Sequence, residues 1–177
     1  MSRNRSSSEM SVDFLKRLGL FVVFVLAQTM VLGRIHLFGY ATPLVYVYFV
    51  SMFPRSYPKW SILLWSFVMG LTIDIFSNTP GVAAASLTLL GVVQPYLFEL
   101  FVPRDSFDEL RPSIKTIGMM KYLYYIIILV VLYCLVFFTL ETFSFFDLVE
   151  WLQCVGGSAV ITLVLILTFE SVASRQG

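Results

Sequence analysis

Apolar residues fall into six windows, Leu18 to Gly33, Leu37 to Phe53, Trp60 to Phe76, Gly81 to Val102, Tyr122 to Leu140 and Leu148 to Phe169. A bilayer hydrocarbon core about 30 Å thick takes roughly 20 residues of helix per crossing, so each window predicts a transmembrane helix. Within the second window Pro43 leaves only Pro43 to Phe53 before the next turn, about half a bilayer at about 1.5 Å per residue. Two arrangements fit: a helix kinked at the proline, or irregular backbone over Ile35 to Thr42 shielded by neighbouring helices. The longest polar connection, Pro103 to Lys121, spaces Phe107, Leu110, Ile114 and Ile117 amphipathically around Pro112. That spacing predicts a short interfacial segment or a surface for a cytoplasmic partner. Ser6, Ser7 and Ser8 sit in an N-terminal stretch expected to be a disordered tail.

Composition agrees with the windows. The 177 residues are 58% hydrophobic and 13% charged, against about 45 to 50% apolar and roughly 25% charged in soluble domains. Charge position then supplies orientation. With the N-terminus cytoplasmic, the cytoplasmic segments hold Arg3, Arg5, Lys16, Arg17, Arg55, Lys59, Arg104, Arg111, Lys115, Lys121 and Arg175, leaving Arg34 alone outside. Cationic loops stay on the cytoplasmic side. The expected fold is therefore all-α, a compact bundle of six transmembrane helices at residues 18–169 with both termini cytoplasmic, a tail at 1–17 and another at 170–177. The first window follows cations as a signal peptide does, but no small-x-small cleavage site follows it, and it reads as a retained helix.

Candidate chemistry is sparse. His36 is the single histidine, and Cys134 and Cys154 both lie in apolar runs, where a thiol behaves as a small hydrophobe. Neither a metal-ligand spacing nor a Gly-rich phosphate loop is present, so no cofactor and no catalytic residue is assigned. The near balance of 12 Lys and Arg against 11 Asp and Glu gives no basic surface for nucleic acid. Carboxylates inside spans are costly and mark candidate sites. Asp74 lies near the end of the third span, where backbone N–H groups starting the fourth helix or the Ser77 and Asn78 region could hold it; the alternatives are proton or ion handling and a polar contact with a partner's transmembrane helix. Glu99 lies near the far end of the fourth span and is expected to snorkel or pair with Arg104.

In the fourth span Gly81, Ala83, Ala84, Ala85 and Ser86 permit close helix approach, and Pro95 leaves the Gly91 carbonyl without its donor beside Gln94. The sixth span repeats small residues at Gly156, Gly157, Ser158 and Thr162, whereas the fifth is large throughout. The fourth and sixth are thus expected against protein and the fifth partly against lipid.

The segment Gly70-Leu71-Thr72-Ile73-Asp74-Ile75-Phe76-Ser77-Asn78-Thr79-Pro80-Gly81, followed by Val82-Ala83-Ala84-Ala85, resembles the bacterial rod-shape-determining protein MreD family. That pattern sets Gly-Leu, an Asp three residues after the Leu, a Ser-containing turn closing on Gly and a small-residue helix start. Pro43 before an apolar run and the basic turn at Arg55 are similar too. The resemblance covers about Pro43 to Val102, and Leu44 stands where many members have an acidic residue. It implies a non-enzymatic inner-membrane subunit of the cell-elongation complex that organises peptidoglycan synthesis and cell shape. Its implied partners are MreC directly, then MreB and the wall-synthesis glycosyltransferase and transpeptidase, in a lipid setting. The alternative is a substrate-binding membrane subunit of a vitamin transporter, with a pocket lined by Trp60, Trp65, Tyr96 and Gln94. Against it, Ala27 has Val23 and Val31, not alanines, one turn away.

Overall fold

A computed structural model describes residues 3–31, 42–102, 112–142 and 148–176. Among them all regular structure is helical: α1 (Arg3–Leu26), continued by a π-helical turn (Ala27–Val31), α2 (Val47–Ser51), α3 (Lys59–Ser77), α4 (Val82–Phe101), α5 (Ile114–Ile117), α6 (Met119–Thr142) and α7 (Leu148–Gln176). Four of these, α3, α4, α6 and α7, contain stretches long and apolar enough to cross a membrane, and the chain is a helical membrane protein.

Several expectations are corrected. The Ser6 to Ser8 stretch, expected to be disordered, lies within α1. The second window is no continuous helix: Thr42 to Leu44 has no regular structure, a turn follows at 45–46, and only Val47–Ser51 is helical. Pro43 stands outside regular structure rather than kinking a helix. In the 103–121 connection, Phe107 and Leu110 lie outside the described residues. Ile114 and Ile117 bound the four-residue α5, whose Ser113 side chain caps the Lys115 N–H, and α6 starts at Met119.

The fifth span, expected partly against lipid, does expose Tyr124, Ile128 and Leu135, yet it is the most buried of the four candidate spans, whereas the sixth, expected against protein, is the least. Of the α6 membrane window 44% is buried, against 28% for α7. The reason is periodic. Tyr122, Tyr125, Ile126, Leu129, Val130, Tyr133, Cys134, Phe137 and Phe138 recur at helical spacing and are all buried, so a wide stripe of α6 faces protein. Bulk supplies contact area there as effectively as small residues supply closeness elsewhere.

The broken segment at 42–53 is the most deeply buried part of the fold, with Leu44, Val45, Tyr46, Val47, Phe49, Val50, Ser51 and Phe53 at 3% exposure or less. Buried backbone groups need partners, and here side chains supply them. The Thr42 N–H donates to Ser158 Oγ at 3.0 Å and the Leu44 N–H to Thr162 Oγ1 at 3.0 Å. Gln28 Nε2 donates to the Pro43 carbonyl at 2.9 Å. At the other end of α2, Tyr125 Oη donates to the Ser51 carbonyl at 3.2 Å, and Gln94 Nε2 to the Phe53 carbonyl at 3.3 Å and to Tyr125 Oη at 3.1 Å. Four helices thus hydrogen-bond one strip of irregular backbone, which is how such backbone persists at membrane depth.

Candidate functional site at the Asp74 corner

α3 stops at Asn78, which adopts a left-handed conformation (φ 56°, ψ 35°) and returns its N–H to the Asp74 carbonyl. Asn tolerates this region better than most residues, so it serves as the helix terminator. The turn passes Thr79 and Pro80 to Gly81, whose φ of 83° suits glycine and sets the entry to α4. Across this turn the Asp74 side chain reaches the start of α4. Its Oδ1 accepts from Thr79 Oγ1 at 2.9 Å and from the Ala83 N–H at 2.9 Å, and its Oδ2 accepts from the Ala84 N–H at 2.8 Å. Those two N–H groups belong to the first turn of α4, where no intrahelical partner exists. A carboxylate there also meets the positive end of the helix dipole.

The same corner brings α3 and α4 into backbone contact. A Cβ placed on Gly70 would stand 2.4 Å from Ala84 Cα and 2.6 Å from the Ala83 carbonyl oxygen, so only glycine permits this approach. Two turns further, a Cβ on Gly91 would stand 2.7 Å from Ser66 Oγ and 3.2 Å from Ser66 Cβ. Ser66 is fully buried and its Oγ has no hydrogen-bond partner. Small residues on both helices therefore form one seam, the arrangement by which membrane helices gain van der Waals contact. Gly91→Ala is expected to cost about 1 to 3 kcal/mol through overpacking. Adding Ser66→Ala removes the nearer clashing atom and should recover most of that loss, as read by detergent-induced unfolding of the four variants of the cycle.

The sequence-derived candidates divide by position. Asp74, Gly81 and the backbone of Asn78 build the corner, and Pro80 shapes its turn. Ser77 is exposed and lines an adjoining cavity. Ala85 points outward and contributes only its N–H to the Gly81 carbonyl at 3.0 Å, the α3 contact being made by Ala83 and Ala84. Gln94 belongs to the support of α2, and α4 continues helical through Pro95. Glu99 is exposed, and Arg104 lies outside the described residues. Of the four pocket residues of the transporter alternative, Trp60 and Trp65 line one cavity against α1, and Tyr96 and Gln94 are not part of it. Trp60 and Tyr96 are more than half exposed while Gln94 is buried in the core; Lys59 Nζ covers the Tyr96 ring at 4.3 Å.

Composition and spacing overlooked several polar residues. Glu170, assigned to a cytoplasmic tail, is helical and buried at 5% exposure. Its Oε2 accepts from Tyr48 Oη at 2.5 Å and its Oε1 from the Ile114 N–H at 3.2 Å. This carboxylate ties α2 and α5 to α7. Gln28, Thr79 and Tyr125 also carry structural hydrogen bonds. A polar residue just past an apolar window is the signal that could have flagged Glu170, because a hydropathy window ends at a charge whether or not the helix does. Among the described residues no group of three His, Cys, Asp or Glu side chains is placed to hold a metal ion. Compared with known protein families, curated proteins and solved structures, the chain finds no match.

Proposed function

We propose that this chain is a non-enzymatic membrane subunit of the bacterial cell-elongation complex, crossing the inner membrane six times with both termini cytoplasmic and contacting MreC through its helices. The carrying observation is that Gly70 to Ala85, the segment bearing the resemblance, is one folded unit. Its glycine sets the helix spacing and its aspartate caps the returning helix. Asp74 is thereby committed to holding the corner, which suits a scaffold. Outside the seam, α3 exposes Leu64, Phe67, Val68, Leu71 and Ile75, and α4 exposes Leu89, Val92, Tyr96 and Leu100. Both stripes follow helical spacing. The corner holds these faces at a fixed angle, and one of them receives the partner helix. Through MreC the complex reaches MreB and the glycosyltransferase and transpeptidase of wall synthesis.

The test is affinity purification of the tagged protein from its own cells in mild detergent, alongside a Leu71→Ala, Ile75→Ala variant on α3 and a Leu89→Ala, Val92→Ala variant on α4. The wild type is expected to recover MreC and wall-synthesis enzymes, and one of the two variants to lose MreC while keeping its melting temperature. Recovery of an ATPase in place of MreC would overturn the proposal.

A further inference from the structure

Between α1 and α3 lies a groove of about 700 Å³, within the range of about 300 to 1,000 Å³ typical of small-molecule sites. Its walls are Phe14 and Leu18 of α1 and Trp60, Leu64, Trp65 and Val68 of α3. Trp65 is fixed in place by the rings of Phe14 at 5.5 Å and Phe21 at 5.8 Å. The other five wall residues are each at least 40% exposed, so the groove is open to its surroundings. α3 is long and apolar enough to cross a membrane and begins at Lys59. From Trp60 to Val68 it rises about 12 Å at about 1.5 Å per residue, most of one leaflet of a hydrocarbon core about 30 Å thick. The groove therefore runs from headgroup level into one leaflet, with apolar walls that suit an acyl chain.

Charge gathers where α3 begins. Arg17, Tyr57 and Pro58 complete the lining at this end, and the Arg17 guanidinium lies 4.2 Å from the centre of the Tyr57 ring and 4.9 Å from that of Phe53. Such rings attract a cation and fix its place. Lys59, next to Pro58, lies at the same level with its Nζ over the Tyr96 ring at 4.3 Å. The N-terminus of α3 opens here as well, and Pro58 at its cap offers its first N–H groups no side-chain acceptor. The positive end of the helix dipole thus faces the same region. Lys16, Arg17, Arg55 and Lys59 stand on the segments that meet at this end, against Asp13 and Glu99 on the adjoining turns, an excess of two positive charges (4 − 2). Ser61, 8% exposed, adds a hydroxyl to the lining. Basic pockets beside apolar helix faces are where headgroups of anionic lipids bind.

We infer that this groove is a binding site for an anionic phospholipid, one acyl chain lying along Leu18, Leu64 and Val68 with its phosphate at the Arg17 and Lys59 end. The inference does not rest on the scaffold proposal, and a purified chain without partners tests it separately.

The test uses the purified full chain in phosphatidylcholine nanodiscs, with small fractions of phosphatidylglycerol or phosphatidylcholine brominated on the acyl chain as quenchers of tryptophan fluorescence. A Trp60→Phe, Trp151→Phe variant leaves Trp65 in the groove wall as the single reporter, and a Trp60→Phe, Trp65→Phe variant leaves Trp151 on α7 as the control. Brominated phosphatidylglycerol is expected to quench Trp65 severalfold more than brominated phosphatidylcholine at the same fraction, and both lipids to quench Trp151 alike. Adding Lys59→Gln or Arg17→Gln to the Trp65 reporter should bring the two lipids closer together, and so should raised salt, which screens exposed charge. Lys59→Gln carries this arm if loss of the Arg17 ring contacts unfolds the other variant. Equal quenching of Trp65 by the two lipids would mean ordinary surrounding lipid only and would overturn the inference. So would a preference shared by Trp151, which reports general enrichment of anionic lipid about the protein, or one untouched by Lys59→Gln and by salt.

Discussion

Asp74→Ala is expected to destabilise the protein by about 3 kcal/mol or more, because it strands the Ala83 and Ala84 N–H groups and the Thr79 hydroxyl together. Each buried donor deprived of its acceptor costs about 1 to 3 kcal/mol, and in a bilayer water is a poor substitute partner. Asp74→Asn should cost less, since its amide oxygen still accepts while its NH₂ group faces a donor. Thr79→Val should cost about 1 kcal/mol, a single neutral hydrogen bond. Far-UV circular dichroism through a dodecyl sulfate titration would rank them. A value for Asp74→Ala within about 0.5 kcal/mol of wild type, the range of ordinary surface substitutions, would show that the corner does not depend on this carboxylate.

Gly70→Ala is the second large effect, and its cause is different. The added methyl would meet the backbone of α4 at 2.4 to 2.6 Å, so no rotamer change relieves it and the helices must separate. Overpacking of this kind costs about 1 to 3 kcal/mol and more where backbone must move. Asp74 lies one turn along the same helix, and separation at residue 70 stretches its bonds to Ala83 and Ala84. The two substitutions should therefore be non-additive, the double variant losing less than the sum of the singles. Strict additivity would mean that the seam and the carboxylate act as independent fastenings.

Much of the helical plan was legible in the residues. Lys59 after Pro58, and Asn78 to Gly81 between two apolar runs, mark where α3 begins and where it gives way to α4, since charge, proline and left-handed positions punctuate helices locally. Asp74 was legible too, because a carboxylate one turn before a helix-terminating turn has few other roles. The second window misled because hydropathy records which residues tolerate apolar surroundings and is blind to where their backbone groups bond. Pro43 left two arrangements open, and the choice rests on Ser158 and Thr162, more than a hundred residues away. The extent of burial of α6 was hidden because a tyrosine-rich stripe suits either a core or a membrane interface. Gln28 carried no signal at all, since its importance comes from the Pro43 carbonyl it bonds, fifteen residues on, in a segment whose backbone path hydropathy does not record.

The broken segment also has a consequence for biogenesis. A helix that bonds its own backbone can leave the translocon as soon as it is made, whereas the Thr42 and Leu44 N–H groups need acceptors at Ser158 and Thr162, made more than a hundred residues later. Until α7 arrives, these residues wait in an aqueous or protein-shielded setting. The stretch around Pro43 therefore settles at its final depth only after α7 has been translated, and a nascent chain stalled before Ser158 holds it unsettled however apolar that stretch is.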